Sequence, residues 1–275
     1  MPLHFTSLNS GSNGNCYYVG NDTEAVLIDA GLSCKETERR MSEIGLQIKL
    51  VKAIFVSHEH TDHIRGLGGL ADKYGMPIYV SEATQKGCYH LQPKHVIHLT
   101  EYKQVCIGKL CITGFKKIHD AADPHSFTVT SQGITVGVFT DIGRVCTNLI
   151  THFKLCNAAF LEANYDTDRL ANGRYPHFLK QRITGGKGHL SNAEALAFCK
   201  LYKPTHMSHL LLAHLSKDNN CPVLVHKLFS AIAGHTKIWV ASRDNAMPLL
   251  TIGEGINAKK MLRSIDNNNL QLSLF

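Results

Sequence analysis

The run Val51-Lys52-Ala53-Ile54-Phe55-Val56-Ser57 leads straight into His58-Glu59-His60-Thr61-Asp62-His63. An apolar, β-branched run of this length predicts a buried strand, and it delivers four potential metal ligands into the loop at its end. His58, His60, Asp62 and His63 cannot all converge on one tetrahedral ion without strain, so the simplest geometry is two neighbouring metal ions. His58 and His60 would face one ion, Asp62 and His63 the other. The competing reading is a histidine-rich surface turn, which a chain with 17 histidines could supply. The strand context and the interposed Asp62 favour the metal site.

Around this motif the chain alternates short apolar strands with amphipathic helices, from Cys16–Val19 and Ala25–Asp29 through to Ile238–Ala241 and Leu249–Ile252. Such alternation, with several hairpins, predicts an α/β fold of two packed sheets with helices outside. One domain accounts for residues 1–256, and the polar stretch Asn257–Asn269 reads as the start of a flexible tail covering 257–275. Helices are expected from Ser33 to about Gly45, from Ile64 to Tyr74, from Ser81 to about Leu91 and from Pro222 to Ala233. Ser33 with Glu36, and Ser191 with Glu194, have capping-box spacing. The opening loop Ser7–Asn15 is either a hairpin connection or a glycine-bearing loop that approaches a ligand.

Further candidates sit at predicted strand ends, where functional groups collect in sheets. His119 follows Leu110–Ile118 and is preferred to His125 as a ligand. Asp141 follows Ile134–Thr140; a lone strand-end Asp is usually a cap or turn former, but beside a dinuclear site a bridging carboxylate becomes its favoured role. His214 ends the predicted strand His206–Ala213 and is preferred to the within-strand His206 and His209. His90, His95 and His98 show no ligand spacing. Gly185-Gly186-Lys187-Gly188 runs into a helix start and would offer backbone N–H groups to an anion such as phosphate. His189 beside it is a candidate proton donor or phosphate contact. Tyr175–Arg182 is a basic, aromatic-flanked segment.

His58-Glu59-His60-Thr61-Asp62-His63, His119, Thr140-Asp141 and His214 resemble, in order, the metal-binding motifs of the metallo-β-lactamase-fold hydrolases. SLNSGSNGN, LIDAGLS, IHDAADPHSF, TDIG, LEANYD, GHLSN and HLSKDNN, spread from residue 7 to about residue 220, are similar to its YycJ/WalJ-type branch. The resemblance implies a four-layer αββα sandwich with the metals at one edge and activity as a double-stranded DNA exonuclease. It implies one ion on His58, His60 and His119, the other on Asp62, His63 and His214, and Asp141 shared. GHLSN is similar to the RNase J-like histidine loop that contacts the scissile phosphate, which makes His189 a candidate catalytic residue; Asp62 of the 58–63 motif is the other. The large clamping domain of those RNase J-like enzymes has no room here.

Histidine-rich ligation favours Zn²⁺, while the carboxylates and a hard phosphate also suit Mn²⁺. An oxygen-reducing iron site is disfavoured because the second motif position is His60 and not a carboxylate. A pair of ions about 3.5–4 Å apart could activate a shared water for phosphodiester hydrolysis. A thioester, lactone or RNA substrate would use the same metals, and a non-catalytic clamp-bound adaptor would need only the fold and the tail. The net charge of +7 favours polyanionic partners. Nine cysteines, with no CxxC pair, indicate neither a disulfide framework nor a zinc ribbon, and fit a cytoplasmic setting. No signal pattern or membrane-length apolar run is present. The terminal Gln271-Leu272-Ser273-Leu274-Phe275 resembles the peptide by which bacterial replication and repair proteins dock on the polymerase sliding clamp, with Leu272, Leu274 and Phe275 as anchors and Gln271 at the rim.

Overall fold

A computed structural model of the chain describes residues 1–88, 91–100 and 102–253. Most strand residues are buried on both faces, which requires sheets covered on both sides. In one sheet β1 (Leu3–Asn9), β2 (Cys16–Gly20), β3 (Ala25–Ile28), β4 (Val51–Phe55), β5 (Ile78–Val80) and β6 (Val96–His98) lie side by side in that order. In the other, β7 (Val105–Ile107), β8 (Leu110–Lys116), β9 (His125–Ser131), β10 (Ile134–Phe139), β11 (Ala158–Glu162), β12 (His209–Ala213) and β13 (Lys237–Val240) do the same. The last described strand, β14 (Leu250–Ile252), returns to pair antiparallel with β1 and brings the first sheet to seven strands as well.

The two sheets are built alike. From β14 to β6 three antiparallel pairings precede three parallel ones. From β7 to β13 the succession is identical. Alternate residues then face opposite layers, as the period of a strand demands. Ala53 and Phe55 point into the core between the sheets with Phe5, Tyr17, Phe127, Phe160 and Leu211. Ile54 and Val56 point outward to α1 (Cys34–Glu43) and, beyond the short α2 (Thr61–Ile64), α3 (Leu67–Tyr74), through Met41, Leu67 and Leu70. On this side lies also α4 (Glu82–Lys86). Outside the second sheet, α5 (Thr147–Phe153) is followed by α6 (Thr167–Asn172), α7 (His177–Thr184), α8 (Asn192–Tyr202) and α9 (Pro222–Ser230). Of these α5, α8 and α9 cover the sheet with Phe153, Phe198 and Phe229. The result is the αββα sandwich.

Several local expectations are corrected. The helix expected over Ile64–Tyr74 is broken at Gly66, whose N–H donates to the Ala30 carbonyl at 2.7 Å and where a Cβ would fall 1.9 Å from the Leu32 carbonyl oxygen. The helix expected to reach Leu91 ends at Lys86, capped by Gly87. Ser33 caps α1, but Glu36 pairs with Arg39 and Arg40 instead of closing the box. Cys106 and Cys111 face each other across the β7–β8 hairpin with Cα atoms 4.2 Å apart and form a disulfide that their spacing did not suggest. His90 and the 257–275 tail with its clamp-like peptide lie outside the described residues. No helix among the described residues is long and apolar enough to cross a membrane.

Phe160 joins the layers, packing edge-on to Phe5 at 6.2 Å and against Tyr17 at 4.9 Å between ring centroids. Phe160→Ala is expected to cost about 3–5 kcal/mol in urea-induced unfolding, the usual penalty for emptying an aromatic site in a packed core. A loss below 1 kcal/mol would contradict this account of the inter-sheet core.

Candidate metal centre

The site is made of strand C-termini. His58 lies just beyond β4, and His60, Asp62 and His63 stand at and in the one-turn α2 that follows. His119 lies just past β8, Asp141 past β10 and His214 past β12. The chain folds these distant segments onto one edge of the sandwich. Ligand-type atoms of His58, His60 and His119 lie within 4.8 Å of one another, as do those of Asp62, His63 and His214. Asp141 lies between the groups: its Oδ2 is 3.3 Å from His63 Nε2, and its Oδ1 is 3.6 Å from His214 Nε2 and 3.9 Å from His119 Nε2.

These residues suit cations. His119 Nε2, His214 Nε2 and Asp141 Oδ2 are buried without a hydrogen-bond partner among the described residues, a condition that costs roughly 1–3 kcal/mol per group unless something binds them. They all point into the same small space. Burial works against protonating His214, yet Asp141, Asp62 and Glu162 raise its pKa to about 10. Burial likewise opposes a proton on His63, and Asp141, Asp29 and Asp62 outweigh it. A cluster that draws protons onto buried imidazoles draws metal ions for the same electrostatic reason, and metal would displace those protons. On the other flank burial, then His63 and Lys117, keep His58 neutral, as a ligand must be.

The imidazoles are aimed from behind. Asp29, at the end of β3, is fully buried and accepts from Ser57 N at 2.7 Å and Ser57 Oγ at 2.8 Å, and its Oδ2 is 2.7 Å from His63 Nδ1. Ser57 Oγ in turn lies 2.8 Å from His58 Nδ1. Glu162, at the end of β11, is also fully buried and lies 3.0 Å from His214 Nδ1 and 2.8 Å from His189 Nδ1. It accepts from Ile142 N and Leu190 N as well, so its oxygens are engaged away from the centre. Although burial opposes its ionisation, His189 and His214 hold its pKa down to about 2. His119 Nδ1 has the Gly188 carbonyl at 3.0 Å. Asn15, from the opening loop, donates to Asp62 Oδ2 at 3.0 Å, which gives that loop a supporting part in the site. Asp29, Glu162 and Asn15 had no role in the sequence reading, although the first two carry the same strand-end signal that singled out Asp141.

Backbone strain concentrates here. Asp29, Asp141 and His214 have φ of 61°, 54° and 55°, a left-handed conformation that non-glycine residues adopt at a cost of about 1–2 kcal/mol. Gly31 permits a close crossing, since a Cβ there would lie 1.7 Å from the Asp62 carbonyl oxygen.

His189 is about one-fifth exposed, while its neighbours His119 and His214 are almost wholly enclosed. Its ring is 5.4 Å from that of His119 and 5.1 Å from that of His214. Several N–H groups at the helix start beside it are already in use. Ser191 N and Glu194 N are used in a complete capping box, Leu190 N goes to Glu162 and Asn192 N to the Tyr165 carbonyl. His125, His206 and His209 stand apart from the convergent groups; His209 lies edge-on to Phe5 at 5.7 Å. His95 and His98 hydrogen-bond Asp72 and Gln85.

Glu162→Gln keeps the shape of the support but removes its charge. Metal retention measured by chelator competition is expected to fall about 10–100-fold, the usual effect of losing a carboxylate behind a ligating histidine. Unchanged retention would mean that Glu162 does not position His214.

Residues 10–101 match the profile of the metallo-beta-lactamase superfamily. The chain is 37% identical over 238 residues to exodeoxyribonuclease YycJ of Bacillus anthracis, covering 84% of this chain and 89% of that protein. It is 33% identical over 264 residues to exodeoxyribonuclease WalJ of Streptococcus pneumoniae strain D39, covering 90% of this chain and 97% of that one. Among solved structures, the metallo-beta-lactamase fold protein YhfI from Bacillus subtilis superposes with a TM-score of 0.70 at 18% identity, over 90% of this chain and all of that one. With one-third of its residues shared along nearly the whole length of both relatives, this chain belongs to the YycJ/WalJ exodeoxyribonuclease family of the metallo-β-lactamase superfamily.

Proposed function

We propose that the protein hydrolyses phosphodiester bonds at the ends of double-stranded DNA, with two divalent ions held by His58, His60 and His119 and by Asp62, His63 and His214, and with Asp141 shared. The observation that carries this is the pair of three-residue ligand groups flanking one buried carboxylate, with a partly exposed histidine beside them. Kinship with proteins named exodeoxyribonucleases supports DNA as the substrate. Zn²⁺ suits the histidines best, and Mn²⁺ suits the carboxylates. When bound, the ions would neutralise the phosphoryl oxygens and lower the pKa of the attacking water.

The chain's own groups do the rest. Asp62, steadied by Asn15, orients the attacking water, whose proton leaves to solvent. Glu162 on His189 Nδ1 fixes the ring so that Nε2 is the atom offered to the substrate, a division of labour common to acid–base histidines. From Nε2 a proton passes to the sugar oxygen as its bond to phosphorus breaks. We further propose domain limits of 1–256 and 257–275, a cytoplasmic setting where DNA is at hand, and docking of Gln271, Leu272, Leu274 and Phe275 on a sliding clamp. An RNA or small-ester substrate is the competing reading; only the net positive charge and the named relatives weigh against the ester.

Three outcomes are expected. End-labelled duplex DNA releases nucleotides in Zn²⁺ or Mn²⁺ and none in EDTA; RNA cleaved in preference to DNA would overturn the substrate. Asp141→Ala loses metal by elemental analysis together with activity, whereas His189→Ala keeps its metal and loses about 10²–10⁴-fold in turnover. Equal metal loss in both would contradict the division of roles. Truncation after Asn269 abolishes clamp binding in a pull-down and leaves DNA hydrolysis unchanged; retained binding would exclude the terminal peptide.

A further inference from the structure

Beside His189 lies a cavity of about 220 Å³, bordered by Ser12, Tyr175, Leu179, Arg182 and Ser216. It is smaller than the roughly 300–1,000 Å³ of sites that enclose a drug-sized ligand, so it suits one unit of a strand and not a duplex. The helix α7 forms its wall. Leu179 and Ile183, four residues apart, turn inward to a small cluster with Tyr165, Leu170 and Tyr175. Phe178 and Arg182, also four apart, share the adjoining face. Phe178 is 71% exposed, which is unusual for a residue that normally supplies core area.

This face is coupled to the catalytic loop. His189 N donates to the Ile183 carbonyl at 3.0 Å, and a Cβ on Gly188 would fall 2.3 Å from the carbonyl oxygens of both Arg182 and Ile183. Arg182 Nε bonds Asp120, the neighbour of His119, while the guanidinium side chain stays 57% exposed. No hydrogen bond among the described residues uses its Nη groups. Charge points the same way. Residues 174–188 hold Arg174, Lys180, Arg182 and Lys187 and no Asp or Glu, a net of four positive charges in a chain whose total is +7.

We propose that this face of α7 is the platform for the substrate strand, with the Phe178 ring stacked on a nucleobase and the Arg182 Nη edge on the phosphate next to the scissile one. The inference rests on the DNA-hydrolase reading. An exposed aromatic beside exposed cations is the arrangement with which proteins hold single strands without reading their sequence, because every base presents a π face. The occupant is therefore a DNA end whose last bases have left the stack.

The test uses the metal-loaded full-length protein and a duplex with nuclease-resistant phosphorothioate links and 2-aminopurine in a short unpaired overhang flanked by abasic positions, where the free probe is bright and stacking on a ring quenches its fluorescence. The unmodified protein and Phe178→Trp are expected to quench the probe. Phe178→Ala and Phe178→Leu are expected to lose the quench and bind about 5–150-fold more weakly, the loss of one stacked base, at unchanged metal content and thermal midpoint. Quenching that persists in Phe178→Ala, with affinity within twofold of the unmodified protein, overturns the platform. An unmodified protein that hydrolyses RNA or a small ester but neither binds nor cuts DNA overturns the substrate reading and the platform with it.

Discussion

A fully buried carboxylate stands behind the metal centre on each side of the sandwich, Asp29 at the end of a strand in one sheet and Glu162 at the end of a strand in the other. An isolated carboxylate in such a place is untenable, and these persist because backbone N–H groups, a serine hydroxyl and histidine rings use their oxygens. Each thereby holds an imidazole by its Nδ1, Asp29 that of His63 and Glu162 that of His214. The ring nitrogens that remain, the Nε2 atoms, face the centre. Orientation of the ligands is thus a consequence of where two negative charges are buried.

The doubled sheet makes this possible. Because both sheets follow the same succession of antiparallel and parallel pairings, each contributes strands whose C-terminal ends arrive at the site. The inter-sheet core of Phe5, Tyr17, Phe127 and Phe160 fixes the distance between those ends. At three of them the chain leaves the strand through a left-handed residue: Asp141 and His214 enter the centre, and Asp29 stands behind it on His63. Strain of this kind survives only where surrounding packing over-determines it, and here the packing is the sandwich itself.

Some of this was legible in the chain. His58, His60, Asp62 and His63 are close in sequence, so a strand prediction and a count of ligand types were enough to propose a two-ion centre. His119, Asp141 and His214 could be picked out as strand-end residues from periodicity alone, and the structure brings all three to the same space. The supporting groups were harder to see. Glu162, Asp29 and Asn15 act through hydrogen bonds to residues 52, 34 and 47 positions away, and no local pattern encodes such partners. The glycine loop at 185–188 has the composition of an anion cradle, and only the structure shows that the capping box and Glu162 engage several donors at the helix start beyond it.

The sequence by itself determined the alternation of buried strands and helices and the residue types that can hold two cations, because burial period and ligand chemistry are properties of short stretches. It also carried the motifs that identify the family. Only the tertiary structure decided which histidines meet, which carboxylates stay outside the centre to steer them, and that α7 brings Arg182 to the cavity beside His189. Those outcomes depend on contacts between segments far apart in the chain, and the packing of two sheets is what brings them within hydrogen-bonding distance.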